Sequence, residues 1–169
     1  MLKIINNLEP FFQDCYRRIS VREYAKLIKV SPPTASKILN SYCKEGLLIR
    51  SEDRNYLFFY ANRENNQFRG LSKIYWQAQL KDLINFFEKN LMSPTLILFG
   101  SLAKAEVKID SDIDLAVISP KKDLDLEKFE NQLKRKIQVF WHKSFNDINN
   151  KELANNILNG YSLSGKLRI

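Results

Sequence analysis

Two carboxylates one residue apart, Asp112 and Asp114, stand at the head of an apolar run, Ile113 to Ile118, and ten residues upstream a Gly-Ser pair, Gly100 and Ser101, ends another. On a strand, residues two apart point to one face about 6.6 Å from each other, so the acids project together while Ile113 and Leu115 point away. Two such close carboxylates repel and, unless one is protonated, call for a cation; Mg²⁺ (or Mn²⁺) takes oxygen ligands while keeping waters that substrate phosphates replace. The Gly-Ser pair leads into a helical stretch whose free N–H groups suit an anion; Gly100 lets a phosphate approach and Ser101 offers a hydroxyl. The chemistry expected is metal-assisted phosphoryl transfer.

Strands are expected at Thr95–Phe99, Ile113–Ile118 and Ile137–Trp141, with helices at Leu126–Arg135 and Asn149–Leu158. Upstream, VREYAKLIKVSPPTASKILNSYCKEGL carries apolar residues at three- and four-residue spacing, giving two short helices. Ser31 suits the N-cap of the second, Pro32 its first position, and Gly46 the left-handed residue that ends it. LLIRSEDRNYLFFYAN then reads as a hairpin with a polar tip from Ser51 to Asn55. Residues 64–90 hold a mostly helical apolar period, one long or broken helix with Gly70 as its weak point.

The order helix, helix, helix and hairpin over about residues 8–62 resembles the winged helix-turn-helix domains of prokaryotic regulators, in which the second helix of the motif enters the major groove of DNA. The resemblance implies that Thr34, Ser36, Lys37 and Asn40 reach a duplex and that Arg50 and Arg54 sit near phosphates. The combination G-S-x10-D-x-D followed by an apolar strand, over about residues 93–165, resembles the nucleotidyltransferase core of the DNA polymerase beta superfamily, particularly its minimal members. With an N-terminal winged helix the whole is similar to a group of small archaeal proteins.

The fold so implied is α+β: a winged helix over 1–62, a linker helix over 63–92, and a nucleotidyltransferase domain over 93–169 with a mixed sheet flanked by helices. Asp112 and Asp114 would bind the metal and serve catalysis. Gly100, Ser101 and Lys104 would hold the triphosphate of an NTP, ATP being the expected one. NMP would pass to a hydroxyl on a protein or small acceptor, as in antitoxins that modify a toxin partner. Relatives carry A-R-G-E where this chain has Ala103, Lys104, Ala105 and Glu106, and Lys104 offers a point charge in place of an arginine fork. The third carboxylate of active relatives falls at Gln138, a poor general base. Asp123, Asp125 and Asp147 lie off that strand, and His142 lies about 13 Å further along it.

A formal charge of +8, with 12 basic against 7 acidic residues in 1–70, is compatible with a polyanionic partner such as double-stranded DNA. Cys15 and Cys43 lack metal-ligand spacing and suggest a reducing, cytoplasmic setting, and MLKIINNLEP is too short and polar for a signal peptide. No apolar run is long enough to span a bilayer. A homodimer on two-fold DNA sites is compatible with a winged helix.

Overall fold

In the computed structural model, residues 2–54 and 56–167 are described; Asn55, part of the expected hairpin tip, and the last two residues of the C-terminal segment lie outside them. By internal contacts the chain forms two units, Met1–Tyr75 with Ala105–Ile109, and Trp76–Lys104 with Asp110–Ile169.

The first unit runs α1 (Lys3–Gln13), β1 (Ile19–Ser20), α2 (Val21–Leu27), α3 (Pro32–Lys44), β2 (Leu48–Asp53) and β3 (Tyr56–Ala61), and includes most of α4 (Asn66–Gln79). Ile5, Leu8, Phe11 and Phe12 form one buried face of α1, and Phe12 packs its ring against Phe68 and Tyr75 of α4. Ser20 and Ser31 accept hydrogen bonds from the N–H groups of Glu23 and Thr34, which fixes where α2 and α3 start. Gly46, at φ +74°, turns the chain out of α3 as its sequence position suggests. The three strands form an antiparallel sheet in the order β1-β3-β2. β2 runs on through Ser51 to Asp53, into the stretch expected as the polar tip. β1 escaped the sequence reading because two residues show no alternation.

The segment expected as a linking helix contains two, α4 and α5 (Lys81–Asn90), interrupted at Leu80 rather than at Gly70. Gly70 sits within α4 with open space where a side chain would be, so nothing there forces a break. Leu80 instead is fully buried and anchors the interruption.

The second unit continues through β4 (Thr95–Phe99), α6 (Gly100–Lys104), β5 (Ile113–Ile118), α7 (Glu127–Leu133), β6 (Ile137–His142), a 3₁₀ turn at Phe145–Asp147, α8 (Lys151–Leu158) and β7 (Tyr161–Ser164). The sheet order is β6-β5-β4-β7, with β5 and β6 parallel and the other pairs antiparallel, a mixed sheet as expected. Ile97, Phe99, Ala116 and Phe140 share one face and pack with Ile157 of α8, while Trp141, on the opposite face, meets Phe87 of α5. β7 is an addition to the expected sheet. It pairs along β4 with a register shift between Leu96 and Ile97.

Because Ile157 is 1% exposed and plugs the face that carries the acids, Ile157→Ala should cost about 2–5 kcal/mol. Urea unfolding of the parent and the variant measures it; a loss under 1 kcal/mol would mean that α8 does not hold that face.

Candidate active site

The antiparallel pairing of β4 with β5 sets Phe99 opposite Asp114, at the end of one strand and the start of the other. Gly100 follows at φ +71° and turns the chain into α6, a single short helix that begins at the glycine itself. A Cβ at Gly100 would lie 2.1 Å from Oδ2 of Asp114. Both the backbone angle and the contact therefore require glycine, and the Gly-Ser turn and the acid pair occupy one place.

Asp112 precedes β5 rather than lying on it, because the strand begins at Ile113. The strand alternation expected to carry both acids therefore covers only Asp114, and other contacts hold the approach. Buried Arg135 donates from Nη1 to the carbonyl of Ser111 at 2.6 Å, with its guanidinium 5.2 Å from the ring centre of Trp76. Ile113 donates its N–H to the carbonyl of Lys136 at 2.8 Å. The start of β6 is held in turn by Glu130, whose carboxylate accepts the N–H of Ile137 at 2.9 Å.

Gln138 lies beside Asp114 in the parallel register and donates from Nε2 to Oδ2 of Asp112 at 2.5 Å. Burial, and then the charge of Asp112, push the carboxyl of Asp114 above its ordinary range. A divalent cation would relieve both causes, and two carboxylates with an amide oxygen form a donor set that such an ion accepts. Among the described residues there is no group of three or more His, Cys, Asp or Glu side chains able to hold a metal.

Lys104 is exposed and donates to Oδ1 of Asn156 on α8 at 3.2 Å. Ala105, which replaces the glycine of A-R-G-E, sits at φ +57°, a left-handed angle that favours glycine. Ser101 is half-buried on α6 and Glu106 is exposed. His142 ends β6, with its Nε2 buried and unbonded among the described residues.

In the first unit, Thr34 and Lys37 are exposed on α3, whereas the Asn40 amide is held by the carbonyl and hydroxyl of half-buried Ser36. Arg50 is exposed on β2 within electrostatic reach of Cys43, a thiol pushed up by burial and partly lowered by that arginine. Arg54 stands at the hairpin turn with φ +47°. Arg135, Glu130 and Asn156 escaped the sequence reading. Arg135 sits in a run, Lys134 to Lys136, that looks like a solvated surface, and only the apolar strand directly after it hints at burial.

A family model described as polymerase beta, nucleotidyltransferase, matches residues 81–166, half of the chain. The chain belongs to this family. No curated protein and no solved structure matches the chain. The matched nucleotidyltransferase domain runs from α5 through β7 and contains all four motif residues. Domains of this kind use a divalent metal and a nucleoside triphosphate, which makes an NTP the substrate class. No described helix is long and apolar enough to cross a membrane.

A carboxyl raised in the folded state favours folding only while it is protonated, so ionised Asp114 costs stability above its raised pKa and nothing below the ordinary carboxylate range. Without added metal, Asp114→Asn should therefore raise the melting temperature at neutral pH, with the gain shrinking as pH falls. Thermal melts across that window check it; a variant melting below the parent at neutral pH would contradict the repulsion.

Proposed function

We propose that the protein is a Mg²⁺-dependent nucleotidyltransferase that moves a nucleoside monophosphate, AMP, from its triphosphate to a hydroxyl on a protein or small acceptor, with a winged helix that holds duplex DNA. The arrangement is of the antitoxin type, with a toxin as protein partner. Its main support is the packing of the Asp114 carboxylate against the Gly100 backbone, which puts the acid at the mouth of the Gly-Ser turn. Asp112 and Asp114 would hold Mg²⁺ (or Mn²⁺), with the amide oxygen of Gln138 available once its NH₂ leaves Asp112. Such an ion, when bound, neutralises phosphate charge and lowers the pKa of the acceptor hydroxyl. The backbone and hydroxyl of Ser101 would orient the triphosphate oxygens, and Lys104, released from Asn156, would add a point charge. Pyrophosphate leaves as the acceptor oxygen bonds to the α-phosphorus, and the acceptor proton must go to an aspartate or to water, since an amide cannot take it.

A second reading, a DNA-binding regulator whose nucleotidyltransferase domain senses nucleotide without turnover, draws on the bond from Gln138 to Asp112, which spends one acid on an amide donor. Transfer of labelled AMP from ATP, with toxin-like proteins and small hydroxyl compounds as acceptors, separates the two. Transfer abolished by the double variant Asp112→Asn, Asp114→Asn is the expected outcome, and Gln138→Asp should raise the rate by about 10²-fold or more, as a restored general base does. Nucleotide binding with no transfer in either the parent or Gln138→Asp would leave the regulator standing.

The reading of the first unit as a winged helix rests on its α1-β1-α2-α3-β2-β3 order, its three-stranded antiparallel sheet, and the short Ile28–Ser31 connection between α2 and α3. Thr34 and Lys37 would contact the groove, with Ser36 and Asn40 as a bonded pair beside them, and Arg50 and Arg54 would contact phosphates. Duplex binding should weaken in the double variant Lys37→Gln, Arg54→Gln, and the slope of log affinity against log salt should fall by about 2. An unchanged slope would remove both residues from the interface.

A further inference from the structure

The outer face of the three-stranded sheet carries a feature that duplex binding through α3 does not use. Leu48, Phe59 and Ala61 are buried, so by strand alternation Ile49, Ser51 and Asp53 of β2 and, opposite them, Tyr60, Phe58 and Tyr56 of β3 point the other way. Three aromatic rings thus occupy alternate positions of one strand. They are not sealed: Tyr56 is 67% exposed and Ile49 is 37% exposed, while Phe58 and Tyr60 are half-buried.

One cation borders these rings and two more stand at Tyr16, which shares a groove with Tyr60. The guanidinium of Arg18 lies 4.8 Å from the centre of the Phe58 ring and donates to the Ser51 hydroxyl at 3.0 Å. Arg63 lies 4.1 Å from the centre of Tyr16 and donates to its hydroxyl at 2.8 Å, and the ammonium of Lys108 stands 5.5 Å from the same ring. Arg63 has no carboxylate partner within ion-pair distance among the described residues. Of the nearby acids, Asp53 is paired with Arg18 at 3.6 Å and Glu64 with Arg69 at 3.1 Å. A groove of about 420 Å³ opens here, bordered by Tyr16, Arg18, Ile49, Ser51, Tyr60 and Arg63.

We infer that this face binds single-stranded nucleic acid, with bases stacked on Tyr56, the Arg18 guanidinium plane and Tyr60, and with phosphates on Arg63 and Lys108. Exposed rings gain from bases only where bases are free to splay, which a duplex denies them, whereas an unpaired strand supplies both faces of each base and a polyanionic backbone. The spacing of about 6.6 Å between alternate rings is about twice the 3.4 Å rise of a duplex strand, and so suits splayed bases. Hydroxyls of Ser51 and Tyr60 at the groove offer bonds to base edges. The exposed pair of Arg18 with Asp53 is weak enough for a phosphate to displace the acid.

The test is fluorescence anisotropy of the full chain with labelled oligouridylate and, separately, oligothymidylate of about 12 nucleotides, within the site sizes of known single-strand grooves. Saturable binding of either strand is expected, the two arms telling RNA from DNA, with about tenfold weaker binding for Tyr56→Ser and for Arg63→Gln. The salt slope should also fall by about 0.7 in Arg63→Gln. Tyr56 is so exposed that its replacement leaves the fold intact, and matching melting temperatures verify this. No saturable binding, or binding that folded Tyr56→Ser and Arg63→Gln retain in full, would overturn the inference. So would binding lost with Lys37→Gln alone, which assigns the strand to α3, or a dimer in sedimentation equilibrium that Tyr56→Ser dissolves, which assigns the face to a second copy.

Discussion

A carboxylate resting on bare backbone organises the nucleotidyltransferase domain. Asp114 lies where any side chain at residue 100 would have to go, so the turn that ends β4 and the acid that begins β5 are fixed by one contact. The contact is unfavourable by itself, since it half-buries a charge beside the second charge of Asp112. It persists because the surrounding sheet determines it. Phe99 and Asp114 are register partners in a pairing that buries Leu96, Leu98, Leu115 and Val117 almost completely. Strain of this kind is held by a well-packed frame and concentrates where function needs it.

The same frame sets the approach to Asp112. Arg135, stacked on Trp76, holds the carbonyl just before it, and β6 brings Gln138 level with Asp114 through the parallel register. What reaches the acids is therefore an amide, which donates to Asp112. The two aspartates repel each other, and the amide beside them cannot take a proton. Under the proposed function, cation and nucleotide binding would rest on the aspartates and the Gly-Ser turn, and the transfer step would need its base from elsewhere.

How much of this was legible in the sequence depends on the range of the interaction. That the Gly-Ser turn and Asp114 meet was readable because one ends and the other begins two apolar runs that pair. Ser31, Pro32 and Gly46 were readable because caps act on their own helix. β1 and β7 were not, since two and four residues carry too little pattern and are defined by partners 40 and about 65 residues away in the chain. Arg135 was hidden for the same reason: its burial depends on Trp76 and Ser111, distant in sequence, and its neighbours Lys134 and Lys136 are exposed. Of the acid pair, Asp114 alone lies on the strand expected to carry both, because Asp112 precedes the strand ladder and is met by side chains.

Under the proposed function, Asp112 and Asp114, against Gly100, would form one cation and nucleotide site. The most direct test of this is a carboxyl carbon NMR titration of Asp114, with and without Mg²⁺. A pKa above the ordinary carboxylate range is expected in the metal-free protein, with a marked fall when Mg²⁺ is added that is lost in Asp112→Asn. A carboxyl that titrates in the ordinary range, or one that Mg²⁺ does not move, would contradict it.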